Sequence, residues 1–247
     1  MTFLSTVTDQ FSYFAAQLGE WGWRGRNVLD FGGNVGNILR DPHSTIERGR
    51  YWCLDVDEES IERGKELYPD ANWVFYDRYS FFFNPRGVAR LPIPDMGRKF
   101  HYIVAYSVFT NTARDEMLEL VEQLESLLAD GGALAFTFLD PFHYSAQENY
   151  KKSNLHWRLE LEWKKGNVSV REMQTLAARA HQAEWFALVN GRDLYTEADD
   201  VRAYGPERES SFVVFHTEEY MRKLFPRAEV RAPVNGAMQH CCVIRKR

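Results

Sequence analysis

The stretch VLDFGGNVGNIL, residues 28–39, decides the fold. An apolar run containing one acidic residue, Asp30, breaks at Gly32-Gly33, and Gly36 follows three residues later. Such a run reads as a short buried strand over 27–31 that enters a glycine-rich turn and then a helix from about Gly36. The turn lets the main chain approach a ligand closely, and the helix would aim its first amides at that ligand. The dinucleotide fingerprint G-x-G-x-x-G is not met, because the glycines stand at 32, 33 and 36 and Asn34 fills the second alternating slot. A carboxylate at Asp30 would repel a pyrophosphate and attract a cation.

On either side of this turn, strand and helix patterns alternate. Strands are expected over 51–56, 73–76, 102–106 and 133–138, with helices over 58–67 and 115–128. The second of these helices carries Met117, Leu120, Val121, Leu124 and Leu128 on one face, and Gly131-Gly132 is expected to end it. A further helix, over 4–18, precedes the turn, with Phe3, Val7, Phe11, Phe14 and Leu18 at helical spacing. Five alternations imply an α/β fold with a doubly wound, mostly parallel sheet. Residues 140–210 show charge, tryptophan and helical pattern but no clear strand, so a helical insertion is expected after strand five. The chain closes with a helix over 217–224, a strand over 229–232, a turn at 233–236 and a strand over 239–245, which returns antiparallel. No repeat or linker divides residues 1–247, so one domain is expected, with 140–210 as a lid that selects the substrate.

Composition narrows the function. The 247 residues are 45% hydrophobic, 26% charged and 15% aromatic, with a net charge of −5. Those are globular figures, and with no basic block they argue against a nucleic-acid partner. No apolar run approaches the ~18 residues of a membrane span, and the first residues lack a secretory pattern. Cys53, Cys241 and Cys242 form neither a disulfide framework nor a zinc spacing, so no metal is expected and a cytoplasmic location is. The aromatic excess suits a cavity for a small organic ligand.

The motif Asp30-Phe31-Gly32-Gly33-Asn34-Val35-Gly36 resembles the first motif of class I S-adenosylmethionine-dependent methyltransferases, an acidic residue followed by alternating glycines. Asn34 departs from the usual glycine. The resemblance implies a Rossmann-like methyltransferase fold with seven strands and S-adenosylmethionine as cofactor. Its methionine half would lie on Gly32, Gly33, Asn34 and Gly36, with Asp30 acting through charge on the amino group. Asp55, 25 residues beyond Asp30, would accept from the ribose hydroxyls, and Val56 would lie against the adenine. Asp77 would accept from the adenine exocyclic amine. The run Lys99–Asn111 is similar to the fourth-strand motif, with His101 in place of Asp and Asn111 where many relatives carry His. Tyr106 would stand at the strand tip beside the transferred methyl.

A methyltransferase of this kind takes a small-molecule or peptide acceptor, as a monomer or homodimer, and a biosynthetic role is expected. His143, after the fifth strand, has a pKa range suited to removing the acceptor's proton, with Asp140 either orienting it or capping the turn at Pro141. His216 is the next candidate and Tyr106 a neighbour in the catalytic set. His240, Cys241 and Cys242 alternate along the final strand and read as core rather than ligands. Two alternatives remain: a non-catalytic S-adenosylmethionine-binding regulator, and a nicotinamide-dependent oxidoreductase, which needs the dinucleotide loop that is missing here.

Overall fold

The computed structural model describes residues 9–80, 82–144, 152–189, 193–196, 212–234 and 236–247. Residues 4–8 of the first expected helix lie outside them, as do 145–151, 190–192 and 197–210 of the expected insertion. The chain forms two compact units. Unit 1 comprises Met1–Val108, Arg114–Phe136 and Val243–Arg247; unit 2 comprises Phe109–Ala113 and Thr137–Cys242.

In chain order the elements begin with α1 (Gln10–Leu18), β1 (Val28–Phe31), β2 (Tyr51–Asp55), α2 (Glu58–Leu67), β3 (Asn72–Phe75) and β4 (Phe100–Ala105). They continue with α3 (Arg114–Ser126), β5 (Leu128–Phe138), α4 (Asn154–Lys164), α5 (Val170–Ala180), β6 (Trp185–Val189) and β7 (Asp193–Tyr195). The last are β8 (Phe212–His216), α6 (Glu218–Leu224), β9 (Glu229–Arg231) and β10 (His240–Arg245).

Seven strands form one sheet in the order β3-β2-β1-β4-β5-β10-β9. The pairs β1/β2, β2/β3, β1/β4 and β4/β5 are all parallel. Every residue of β1 and β2 is buried, as expected for strands covered on both faces. Lys246 N donates to Gly132 O, and Thr137 meets Gln239 through their side chains, so β10 runs antiparallel to β5. The chain leaves β1 toward β2 and β3, then returns to place β4 on the other side. That reversal between β1 and β4 opens a crevice at the carboxyl ends of the strands.

Three local expectations are corrected. After the glycine turn only a single 3-10 turn forms, Asn37–Arg40. Asp41, before Pro42, is held extended, which stops any α-helix there. Its carboxylate instead accepts from Ser12 N and Ser12 Oγ, fastening α1. Second, Gly131-Gly132 does not end α3. The pair lies within β5, where the register with β4 shifts between Phe100 and Tyr102.

Third, the stretch expected to lack strands contains β6 and β7, which join β8 in an antiparallel sheet of order β7-β6-β8. The run Trp185–Val189 is buried along its whole length, so it shows no alternation from which to read a strand. Unit 2 has its own core, in which Leu155, Leu159, Leu176, Phe186, Leu188 and Phe215 pack together. The start of α4 is capped by Ser153, and that of α5 by a Ser169/Glu172 capping box. Among the described residues no helix is long and apolar enough to cross a membrane.

Candidate active site

Unit 1 carries the glycine turn. Pairing of Phe31 with Leu54 and of Asp30 with Val104 puts Gly32, Asp55 and Tyr106 at one level, just past the carboxyl ends of β1, β2 and β4. Gly32 N donates to Leu54 O at 2.8 Å, which keeps the turn close to β2. Gly32 has φ +73°, and a Cβ there would come within 2.4 Å of Val108 Cγ2. At Gly33 a Cβ would fall 2.5 Å from the Asp30 carboxyl carbon. Both positions therefore require glycine for space.

Asn34 occupies the left-handed region at φ +52°. Asparagine tolerates that region better than other side-chain-bearing residues, so the backbone that an alternating glycine would provide is retained. Its N–H donates to Asp55 Oδ2 at 2.7 Å, and its Nδ2 donates to Ser60 Oγ at 2.8 Å. Asp55 Oδ1 accepts from Asp57 N at 2.9 Å. Burial raises the Asp55 pKa, and the two backbone N–H bonds pull it back. Asp55 thus stands at the tip of β2 with its carboxylate already aimed at the turn.

Asp30 lies beneath the turn, 2% exposed. Tyr51 Oη donates to its Oδ2 at 2.8 Å. Burial pushes the Asp30 carboxyl up to about 7; the Tyr51 bond opposes this and the Asp55 charge adds to it. Burial likewise pushes up Tyr51 and Cys53 beside it. Among the described residues no cationic side chain forms a salt bridge with Asp30. A buried acid of this kind favours the charged form only when a cation comes to it.

Val56 is half-buried. Asp77, two residues past β3, is exposed, and its Oδ1 accepts from Asn84 Nδ2 at 3.0 Å. The next residue, Arg78, is buried and pairs with Glu116 and Glu119 of α3, anchoring this loop. Tyr106 is half-buried and meets Tyr13 and Phe14 of α1 edge-on, at 5.6 and 6.1 Å between centroids. Sequence reasoning did not connect α1 with this tip. The rings of Tyr13 and Phe14, adjacent on a helix with a buried face, were the only signal available.

The remaining catalytic candidates belong to unit 2. His143 N and Phe142 N donate to Asp140 Oδ1 at 3.0 and 2.7 Å, and Glu218 N donates to Asp140 Oδ2 at 2.8 Å. Asp140 therefore caps the turn at Pro141 through the backbone. The His143 ring instead meets His240, edge to face, at 4.8 Å between centroids. His216 is 0% exposed on β8 and stacks with Trp185 and Tyr220, each at 6.2 Å. Asn111 donates to Thr110 Oγ1 at 3.1 Å. Among the described residues no group of three or more His, Cys, Asp or Glu is arranged to hold a metal ion.

Residues 29–134 match the family model described as a methyltransferase domain. Over that stretch the chain is similar to a methyltransferase domain. The methyltransferase fold extends beyond the matched residues. The glycopeptide N-methyltransferase MtfA, complexed with S-adenosyl-L-homocysteine, is 10% identical at a TM-score of 0.53, over 100% of this chain and 92% of that one. CalS10, an amino pentose methyltransferase from Micromonospora echinaspora, is 12% identical at 0.52, over 97% and 92%. An S-adenosylmethionine-dependent methyltransferase from Clostridium acetobutylicum is 10% identical at 0.51, over 98% and 91%. At such identities the likeness is one of fold. No curated protein sequence matches the chain.

The residues of unit 1 fit the cofactor of a methyltransferase. A cradle that a Cβ would fill at Gly33, above a buried acid with no salt bridge to a cationic side chain among the described residues, suits a ligand with a positively charged amino group.

Proposed function

We propose that this methyltransferase transfers a methyl group to an oxygen, nitrogen or carbon of a small organic or peptide acceptor, in a cytoplasmic biosynthetic role. The observation that carries the cofactor assignments is Asp30, buried under the glycine turn with no cationic partner among the described residues. In this reading Asp30 acts by charge on the cofactor's amino group, and Gly32, Gly33, Asn34 and Gly36 cradle its methionine half. Asp55 accepts from the ribose hydroxyls, Val56 lies against the adenine, and the exposed Asp77 accepts from the exocyclic amine. Tyr106, with Tyr13 and Phe14 behind it, presents an aromatic surface of the kind that stabilises a sulfonium.

A sulfonium is a strong methyl donor, so the chain's own residues chiefly align the acceptor and exclude water. The net charge of −5 and the absence of a basic block favour small acceptors over nucleic acid. The similar structures include enzymes described as acting on a glycopeptide and an amino pentose. We assign acceptor selection to residues 140–210. Because that stretch supplies much of unit 2's own core, its role is tested by surface substitution rather than deletion.

The deciding experiment is calorimetry with S-adenosylhomocysteine on the wild type and on Gly32→Val. The wild type should bind. The variant, whose side chain would collide with Val108, should lose at least ~10-fold in affinity, ~1.4 kcal/mol. Equal binding by both, or by neither, overturns the reading. Transfer of label from radiolabelled S-adenosylmethionine across a metabolite library then identifies the acceptor.

A further inference from the structure

Between β3 and β4 the chain of unit 1 makes a long loop whose first half is tightly built. Arg78, buried at its foot, donates through Nε to Glu116 Oε1 at 2.8 Å, and through its terminal nitrogens to Glu119 of α3 and to Leu91 O. Ser80 and Asn84 exchange backbone hydrogen bonds, at 3.0 and 3.1 Å, which closes a narrow tip. Tyr79 N donates to Val88 O and Val88 N to Asp77 O, so the two sides of the loop are laced together. A Cβ at Gly87 would come within 2.6 Å of the Arg78 carbonyl, so this crossing admits only glycine.

The loop presents apolar side chains to solvent. Phe82 and Phe83 are 39% and 56% exposed, with their rings edge-on at 6.2 Å between centroids, and Val88 is 51% exposed. Single exposed apolar residues are ordinary, whereas adjoining ones with a polar rim mark a contact surface. The rim here is cationic. Gly87 N donates to Asn84 O and Leu91 N to Val88 O, so Arg86 and Arg90 each stand third in a four-residue turn. Both are exposed, and neither forms a salt bridge among the described residues. The carboxylate at the loop's foot, Asp77, accepts from Asn84 Nδ2 at 3.0 Å.

Arg90 adds a separate observation. It sits at φ +53°, in the left-handed region that glycine enters freely and a long side chain seldom occupies. Glycine would remove that strain. A side chain held there without an ion pair inside the fold points to a use outside it.

We propose that the loop 82–90 is a membrane-surface anchor: its phenylalanines enter the boundary between headgroups and acyl chains of an anionic bilayer, while Arg86 and Arg90 pair with lipid phosphates. A stable protein partner needs ~800 Å² on each side, which two rings and a valine on a narrow tip do not supply. A bilayer requires no matching shape, and it rewards a few inserted apolar groups combined with positive charge at phosphate depth. The chain's net charge of −5 would by itself repel an anionic surface, so the attraction has to be local, and the cationic rim makes it so. The anchor does not depend on the methyl-transfer reading; it concerns where the protein works.

The test is flotation of the full-length protein with vesicles of phosphatidylcholine alone and with phosphatidylglycerol added. The wild type should float with the anionic vesicles and not with the neutral ones, and should bind more weakly as salt is raised. Joint replacement Phe82→Ser and Phe83→Ser should lower anionic-vesicle affinity by at least ~10-fold, the scale of leaving one phenylalanine in water. Arg86→Ala should lower it ~5-fold, the worth of one cation near an anionic surface. Arg90→Gly separates anchoring from folding. It relieves the backbone, so urea unfolding should give a stability close to that of the wild type or above it, while vesicle affinity falls ~5-fold. Lost stability with unchanged vesicle affinity in that variant would overturn the role given to Arg90. Absence of vesicle binding by the wild type, or unchanged binding by the serine pair, overturns the anchor. So does a concentration-dependent dimer in ultracentrifugation that the serine pair abolishes, because a second copy would then cover the tip. S-Adenosylhomocysteine binding bears on the methyl-transfer reading alone, so the two can fail separately.

Discussion

Replacing Asp30 by Asn tests whether the acid under the glycine turn is kept for a ligand's charge. In the folded, unliganded protein burial moves this carboxyl from 3.8 to about 7. The unfolded chain loses the proton near the lower value, so between those pH values the native state binds more protons than the unfolded state. Stability from this group is therefore fully present below pH ~4 and is lost as pH rises through ~7. Three pH units at 1.36 kcal/mol each give a loss of about 4 kcal/mol. Asn keeps an oxygen for the Tyr51 hydroxyl but carries no charge, so Asp30→Asn escapes that loss. Urea unfolding of both proteins from pH 4.5 to 8 should show the variant gaining on the wild type with rising pH, by about 3 kcal/mol over that range, since part of the loss already lies below pH 4.5. Saturating S-adenosylhomocysteine should flatten the wild-type curve, because a bound ammonium lowers the carboxyl again, while the variant binds the ligand more weakly. A stability difference that does not change with pH would refute the reasoning, since Asp30 would then be ionised throughout.

Three further outcomes are expected. Asp55→Ala should lower S-adenosylhomocysteine affinity by ~1–3 kcal/mol, the scale of hydrogen bonds to a charged group; calorimetry showing no change removes the ribose assignment. At Asn34 the left-handed backbone makes Asn34→Ala cost ~1–2 kcal/mol in thermal or denaturant unfolding, with Asn34→Gly milder. Equal stabilities of those two variants would mean that the conformation is not what asparagine provides. Glu162→Ala should destabilise by ~3–5 kcal/mol in urea titration, because it strands the buried Arg158 with which Glu162 pairs at 3.2 Å; a loss under ~1 kcal/mol would contradict the pairing.

The half of the chain before residue 139 was legible because each strand there is a short apolar run bounded by glycine, proline or a charged helix start. Those signals survive folding, since tight turns and capped helices are local. What failed were features that depend on distant contacts. Trp185–Val189 is a strand only because β7 and β8 bond to its two edges, and its residues give no period to read. The missing helix after Gly36 follows from Asp41-Pro42, a stop that was present in the sequence, and from the use of Asp41 as a clamp on Ser12, which was not visible there. At the site, the resemblance pointed to Asp30, the glycines and Asp55, and the strand register sets Gly32 level with Asp55. His240 was set aside as core, correctly by burial, yet its contact with His143 joins positions 97 residues apart (240 − 143) and has no sequence signature.

The two departures from the motif's letters show what the pattern encodes. Where alternating glycine is expected, Asn34 adopts the same left-handed backbone and adds a side-chain bond to Ser60. Where an acidic residue is expected at the start of the fourth strand, His101 Nδ1 accepts the N–H of Asn27, the residue before β1, at 3.1 Å. Only an unprotonated nitrogen can accept that bond. Partial burial, with Arg26 and Arg50 nearby, lowers the His101 pKa and so favours the neutral ring. The requirement at this position is thus an acceptor for a backbone N–H at the mouth of β1, and a neutral imidazole meets it as a carboxylate would. The substitution changes the pH response. A depressed histidine gives stability that is present above its unfolded value and fades as pH falls, so acid should loosen the Asn27 end of β1 through His101.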